Sequence, residues 1–247
     1  MTHIVTSYAS ELETLSSSVT QMGGLVEAQL SDVMDAVARR DLALARKVID
    51  LDARIDVYNH EIEADVMNLL ALRQPVAIDL RETVCAMKIA HELERIGDLA
   101  KNIAKRALVI SQQEPLRALN GVIRMGRISL MRVSDVLNAY AQRNVAQAKS
   151  VWGADDEIDE LYNSLFAEIL SAMMEDASAV NACTQLAFVA KNFERVGDHA
   201  TNIAESVHFL LVGEYLDELR PKGDVTSLTT VPKPDDKAPD PEDKEQP

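Results

Sequence analysis

The chain has 247 residues, 47% of them hydrophobic and only 4% aromatic, which allows one large helical domain or two modest ones. Its formal net charge of −15 argues against general affinity for nucleic-acid phosphates or anionic lipid, and suits cations, basic partners or simple solubility. No run reaches about 18 apolar residues and the first five carry no basic leader region, so a cytoplasmic protein with no direct membrane insertion is expected.

Residues 8–40 place Leu12, Leu15, Val19, Met22, Val26, Leu30, Val33 and Val37 at alternating three- and four-residue steps, which predicts an amphipathic helix. Gly23-Gly24 falls inside it. Paired glycines weaken or bend a helix, or admit a close helix contact. Asp41 is placed to cap a second helix carrying Val48, Leu51, Ile55, Tyr58, Ile62, Val66 and Leu69, which Gln74-Pro75 ends. A third helix, over residues 76–110, carries Ala86, Ile89, Leu93, Ile96, Ala100, Ile103, Ala107 and Ile110 in the strict spacing of a bundle seam. The two cysteines, Cys85 and Cys183, sit within helical patterns without a C-x-x-C and read as small core residues.

After a short break at 111–115 the pattern replays. The segment 94–104, Glu-Arg-Ile-Gly-Asp-Leu-Ala-Lys-Asn-Ile-Ala, returns at 194–204 as Glu-Arg-Val-Gly-Asp-His-Ala-Thr-Asn-Ile-Ala, with eight of eleven positions identical. Residues 22–56 align without a gap on 125–159, with fourteen identities in thirty-five positions. The expected fold is therefore all-α: two tandem antiparallel three-helix bundles, over 1–110 and 111–215, from an internal duplication. Residues 216–247 hold six of the eight prolines among Lys, Asp and Glu, and are expected to form a flexible acidic tail.

Each half holds two acid-x-x-x-acid pairs: Asp52/Asp56 with Glu94/Asp98, and Asp155/Asp159 with Glu194/Asp198. Residues four apart share a helix face, where like charges repel by a few tenths of a kcal/mol, so the pairs are not there for helix stability. The midpoint between 54 and 96 is Pro75, and that between 157 and 196 falls at Asp176-Ala177, so an antiparallel hairpin brings both pairs of each half level. Carboxylates gathered without thiolates suit hard cations such as Mg, Mn, Ca or iron. An ordinary solvated acidic face is the alternative. The helical wheel turns Glu94 and Asp98 away from the apolar stripe, so a shallow, solvent-open site is expected.

Asn102 and Asn202 either complete a ligand shell or face water, and Arg95 and Arg195 either bind anions or pair with a neighbouring carboxylate. Gly97 and Gly197 each cost about 1 kcal/mol relative to Ala in a helix, which points to close approach by a metal, a helix or a partner. A ferritin-type di-iron centre needs repeated Glu-x-x-His. Glu205-Ser206-Val207-His208 has the counterpart Lys105-Arg106-Ala107-Leu108, which argues against it. No phosphate loop, nucleophile elbow or zinc spacing is present, so an enzyme is not expected. A metal-dependent hydrolase or metal-storage bundle remains the alternative use of these carboxylates.

The doubled E-R-[IV]-G-D-x-A-x-N-I-A, with D-x-x-[IV]-D in each second helix, resembles the PhoU family of phosphate-regulatory proteins over residues 8–215. The resemblance implies two tandem three-helix bundles that bind clusters of divalent or trivalent metal ions (iron, Mn, Mg or Zn). Carried over by position, the ligands are Asp52, Asp56, Glu94, Asp98, Asp155, Asp159, Glu194 and Asp198, all acidic here. It further implies a non-enzymatic homodimer that represses phosphate uptake and phosphate-starvation signalling. Such a protein links the ATPase subunit of the phosphate ABC transporter to a phosphate-sensing histidine kinase.

Overall fold

The computed structural model describes residues 2–154 and 156–216, with side chains from residue 8 onward. The Pro-rich tail lies outside the described residues apart from Leu216, and so does Asp155. Among the described residues seven α-helices follow one another: α1 (Thr2–Arg39), α2 (Leu42–Arg73), α3 (Ala77–Ile110), α4 (Leu119–Ala141), α5 (Val145–Trp152), α6 (Asp156–Glu175) and α7 (Val180–Val212), with a short 3-10 turn at Ala177–Ala179 before the last. Among the described residues there is no strand, and no helix is long and apolar enough to cross a membrane.

Asp41 caps α2, its carboxylate accepting from the backbone N–H of Ala43 and Leu44 at 2.9 and 3.0 Å. Its counterpart Asn144 caps α5 through the N–H of Gln147 at 3.1 Å. The residues before the caps, Arg40 and Arg143, are identical and both left-handed, with φ of 57° and 52°. The duplication therefore extends to the backbone of its turns.

The gapless alignment of the two copies implies one continuous second helix in the second half. The structure instead divides it into α5 and α6. Gly153 stands where the first copy has Asp50; its N–H bonds Lys149 O at 3.0 Å, ending α5. Trp152, in place of Ile49, is buried, and its indole N–H donates to Glu205 on α7 at 3.0 Å. Gly favours the break and the indole anchors it.

Helices α1 and α2 pack on α3, while α4, α5 and α6 pack on α7. The halves meet along α3 against α7 and α1 against α4. The predicted seams are the core: Ile89, Leu93, Ile96, Ala100 and Ile103 are buried, as are Val189, Phe193, Val196, Ala200 and Ile203. A single hydrophobic cluster runs through both halves. Helix α1 passes through Gly23-Gly24 unbroken. A Cβ on Gly23 would lie 2.7 Å from Leu137 of α4, so a close helix contact explains that glycine. Nothing in the structure explains Gly24, which faces open space.

Candidate functional site

The hairpin turns fall at the expected points. Gln74, left-handed at φ 48°, closes α2 just before α3 begins. The second turn passes through Asp176, which accepts from the Ser178 N–H at 2.8 Å. The motif glycines then set how closely the acid-bearing helices approach. A Cβ on Gly97 would meet Ile55 Cδ1 at 3.2 Å, and one on Gly197 would meet Ile158 Cδ1 at 2.8 Å. Ile55 and Ile158 precede Asp56 and Asp159 in sequence, so each glycine admits the partner helix at the level of the acids. Of the three reasons considered for these glycines, a helix contact is the one observed.

In the first half, Asp56 and Asp98 both lie close enough to act electrostatically on Asp52 and on Glu94. In the second, Asp159 and Asp198 act on Glu194 in the same way. Asp155 lies outside the described residues, so the second group is seen through three of its four acids.

The expectation of a shallow, open site is corrected in part by burial. Asp52, Asp159 and Glu194 are only 3%, 6% and 6% exposed, whereas Asp56, Glu94, Asp98 and Asp198 are half-buried. A helical wheel treats each helix as having one buried side, but α3 and α7 are each packed by several neighbours. Burial accordingly pushes the Asp52, Glu94 and Glu194 carboxyls up, Glu194 to about 7.

The compensating charges differ between the halves. The Lys101 ammonium donates to Asp52 and lies 3.5 Å from Asp98. Arg95 approaches Glu94 at 3.3 Å and Asp98 at 3.5 Å, so it pairs with its neighbours, the second of its two readings. In the second half Lys191 donates to Glu194 Oε1 at 2.8 Å, and Arg195 is exposed with no ion pair among the described residues. Glu94 Oε2 and Glu194 Oε2 are both buried without a hydrogen-bond partner.

Clustered carboxylates with buried oxygens that accept no hydrogen bond fit an oxygen-preferring cation. Among the described residues no three His, Cys, Asp or Glu side chains already converge on one point. A groove of about 480 Å³ lies elsewhere, between α3 and α7, lined by Lys88, Glu92, Asn202, Phe209 and Tyr215 among others. None of the described candidate ligands lines it.

Two sequence features prove structural. Asn202 donates to Glu92 at 3.1 Å across the α3–α7 junction, whereas Asn102 is exposed. Glu205 accepts from Trp152 and His208 Nδ1 meets Glu214 O at 3.0 Å, so both ends of the lone Glu-x-x-His are engaged. Sequence reasoning missed the clasp in which Glu92 also meets His199 Nδ1, at 2.6 Å. Its one signal was that His199 stands where the first copy has Leu99, one of three changes in the motif.

The PhoU domain matches this sequence twice, over residues 19–107 and 122–207. The chain belongs to the PhoU family. A phosphate-specific transport system accessory protein PhoU homolog of Caulobacter vibrioides is 52% identical over 226 residues, covering 91% of this chain and 98% of that one. The accessory protein PhoU of Escherichia coli K12 is 33% identical, over 86% of this chain and 88% of its own. The crystal structure of PhoU from Pseudomonas aeruginosa superposes with a TM-score of 0.82 at 35% identity, covering 84% of this chain and all of that one. The tandem PhoU architecture expected from the repeats is the one observed.

Proposed function

We propose that this chain is the regulatory accessory protein of a phosphate-specific transport system. On this reading it is a cytoplasmic, metal-binding homodimeric adaptor that represses phosphate uptake and starvation signalling, between the transporter ATPase and a phosphate-sensing histidine kinase. The relatives' role as accessory proteins of phosphate-specific transport supports the first clause. The observation that carries the adaptor reading is the doubled acidic arrangement, levelled by Gly97 against Ile55 and by Gly197 against Ile158.

The chain's own residues do two things in this scheme. Asp52, Asp56, Glu94 and Asp98, with Asp159, Glu194 and Asp198, offer carboxylate oxygens on paired helices, and the sequence pattern adds Asp155 to them. The continuous core holds those helices in register. A bound cation would supply positive charge that bridges these oxygens to an anionic group on a partner. No catalytic role is assigned to any residue.

The test is complementation in phosphate-replete cells lacking their own copy, with a starvation reporter and co-purification of the transporter and kinase. The wild-type chain restores repression and retains its partners. Charge reversal at Glu94 and Asp98, with Glu194 and Asp198 reversed in a second variant, abolishes both. Full repression and partner capture by both variants would sink the reading.

A further inference from the structure

We propose that residues 235–245 of this chain dock on a cationic and aromatic surface of its own α3–α7 junction, built by Lys105, Arg106, Val109, Phe188 and Arg195. The inference goes beyond the function proposed above and does not depend on metal binding.

On a chain of formal net charge −15, most cations should find a carboxylate. Lys47, Arg73, Lys101, Arg132 and Arg143 each do. At this surface none does. Arg106 reaches from α3 to α7, where its guanidinium carbon stands 4.1 Å from the centroid of the Phe188 ring and its Nη1 donates to Gln185 Oε1 at 2.8 Å. Both partners are neutral. Burial pulls this guanidinium down from its usual range, with no carboxylate opposing it. Lys105 and Arg195 are exposed, and among the described residues neither they nor Arg106 form an ion pair. Phe188 is 49% exposed and Val109 37%. Cations without acids beside an exposed ring suit a segment that brings carboxylates and apolar rings together.

The chain beyond Leu216 contains such a segment. Residues 235–245 carry six acids against two lysines, and Pro239 and Pro241 alternate there with Asp240 and Glu242. The path to the surface is short. At the near end of the junction Tyr215 stacks on Phe209 with ring centroids 4.4 Å apart, and Lys88 lies over both rings. Lys88 and Arg106 are about five helical turns apart on α3, so they share one face of it, roughly 27 Å from each other. The stretch from Leu216 to Asp235 can span about 60 Å. The second PhoU match ends at residue 207, so the occupant lies outside the domain that it covers. While docked, it closes the surface to any other acidic partner.

Carbodiimide coupling of the full chain, read by mass spectrometry, tests this, because it joins an amine to a carboxylate that touches it. The Asp32–Lys47 pair, at 2.9 Å, supplies the reference cross-link. Lys105 is expected to join carboxylates of residues 235–245 at a yield within roughly threefold of that reference, and the exposed Lys149 at least fivefold less. Arg106→Glu combined with Phe188→Ser lowers the Lys105 yield at least fivefold and leaves the reference unchanged. In a mixture of isotopically light and heavy chains the products stay within one chain. Absence of the Lys105 product beside a normal reference overturns the inference and leaves the surface to an acidic segment of another protein. Equal yields at Lys105 and Lys149, or an unchanged yield in the double variant, overturn it as well. Light–heavy products at Lys105 overturn it in favour of a second copy's segment. Should the double variant lose its helical circular dichroism, a chain with the six acids of 235–245 changed to Asn or Gln decides. Its Lys105 is expected to be acetylated at least threefold faster, relative to Lys47, than that of wild type, and an unchanged rate overturns the inference.

Discussion

His199 of α7 sets its Nδ1 2.6 Å from Glu92 of α3, and Asn202 reaches the same carboxylate oxygen at 3.1 Å. Burial alone would raise the Glu92 carboxyl, but these bonds outweigh it and hold the group below the usual carboxylate range. The clasp joins the two repeats at their shared junction. Hydrogen bonds to a charged group contribute about 1.5–3 kcal/mol, so Glu92→Ala should cost about 2 kcal/mol. In a chain of this size that lowers Tm by roughly 4–8 °C. His199→Leu, which restores the first-repeat residue, should also destabilise, because the leucine that suits α3 offers Glu92 no donor. Thermal unfolding of both variants checks this; a Tm within 1 °C of wild type for both would show the clasp to be ornamental.

Two glycine-to-alanine substitutions should move stability in opposite directions. Gly24 lies inside α1 with nothing within 4 Å of its missing Cβ, so Ala there should gain up to about 1 kcal/mol of helix propensity. At Gly197 the Cβ would sit 2.8 Å from Ile158 Cδ1, in a buried contact. Overpacking there costs about 1–3 kcal/mol and exceeds the same propensity gain. Urea midpoints should rise for Gly24→Ala and fall for Gly197→Ala, and a rise in both would remove the close-contact account of the motif glycine.

The order of helices, the cap at Asp41 and the turns at Gln74 and Asp176 were legible in the sequence because periodicity and the internal copy report on them independently. The level placement of the acids follows from hairpin arithmetic on those same turns. The burial of Glu194 was not legible, since the side facing away from α7's own apolar stripe is covered by helices distant in sequence. The break at Gly153 hid inside a gapless alignment, although Trp152, Gly153 and Ala154 all differ from Ile49, Asp50 and Leu51. The Glu92–His199 clasp joins residues that differ between the copies, and so lay where a search for preserved positions does not look.

The buried carboxyl of Glu194 predicts a pH dependence for the chelated chain. Burial first, then Asp198 and Asp159, raise it from the ordinary 4.5 to about 7 against the pull of Lys191. The folded state therefore holds this proton more tightly than the unfolded state. Its favourable contribution is complete below about pH 4.5, declines as pH rises, and is lost above about pH 7. At about 1.4 kcal/mol per unit the full effect is of order 3 kcal/mol. Glu194→Gln keeps the shape and removes the titration. The stability of Glu194→Gln relative to wild type, from urea midpoints in chelator, should grow between pH 5 and pH 7 and level off by pH 8. A difference that does not change with pH would contradict the burial argument.

The Asp52–Lys101 pair should be unequal in its two deletions. Asp52 is 3% exposed, whereas the Lys101 side chain is 28% exposed and retains Asp98 as a second partner. Asp52→Asn therefore leaves a cation that can turn to Asp98 or to water, and should cost about 1 kcal/mol. Lys101→Met strands a buried carboxylate, and breaking a buried pair from that side costs about 3 kcal/mol. The double variant should recover part of that loss, giving a coupling of about 1–3 kcal/mol in a double-mutant cycle. Burial already raises the Asp52 carboxyl against Lys101, so removing the lysine raises it further. A raised carboxyl is stabilised by protonation, so the Lys101→Met defect should shrink as pH is lowered from 8 to 5, while that of Asp52→Asn should not. Denaturant unfolding of the chelated variants at the two pH values measures both effects. Equal single-variant costs with no pH-dependent rescue would mean that Asp52 keeps company with water or another donor, and that Lys101 is not what neutralises it.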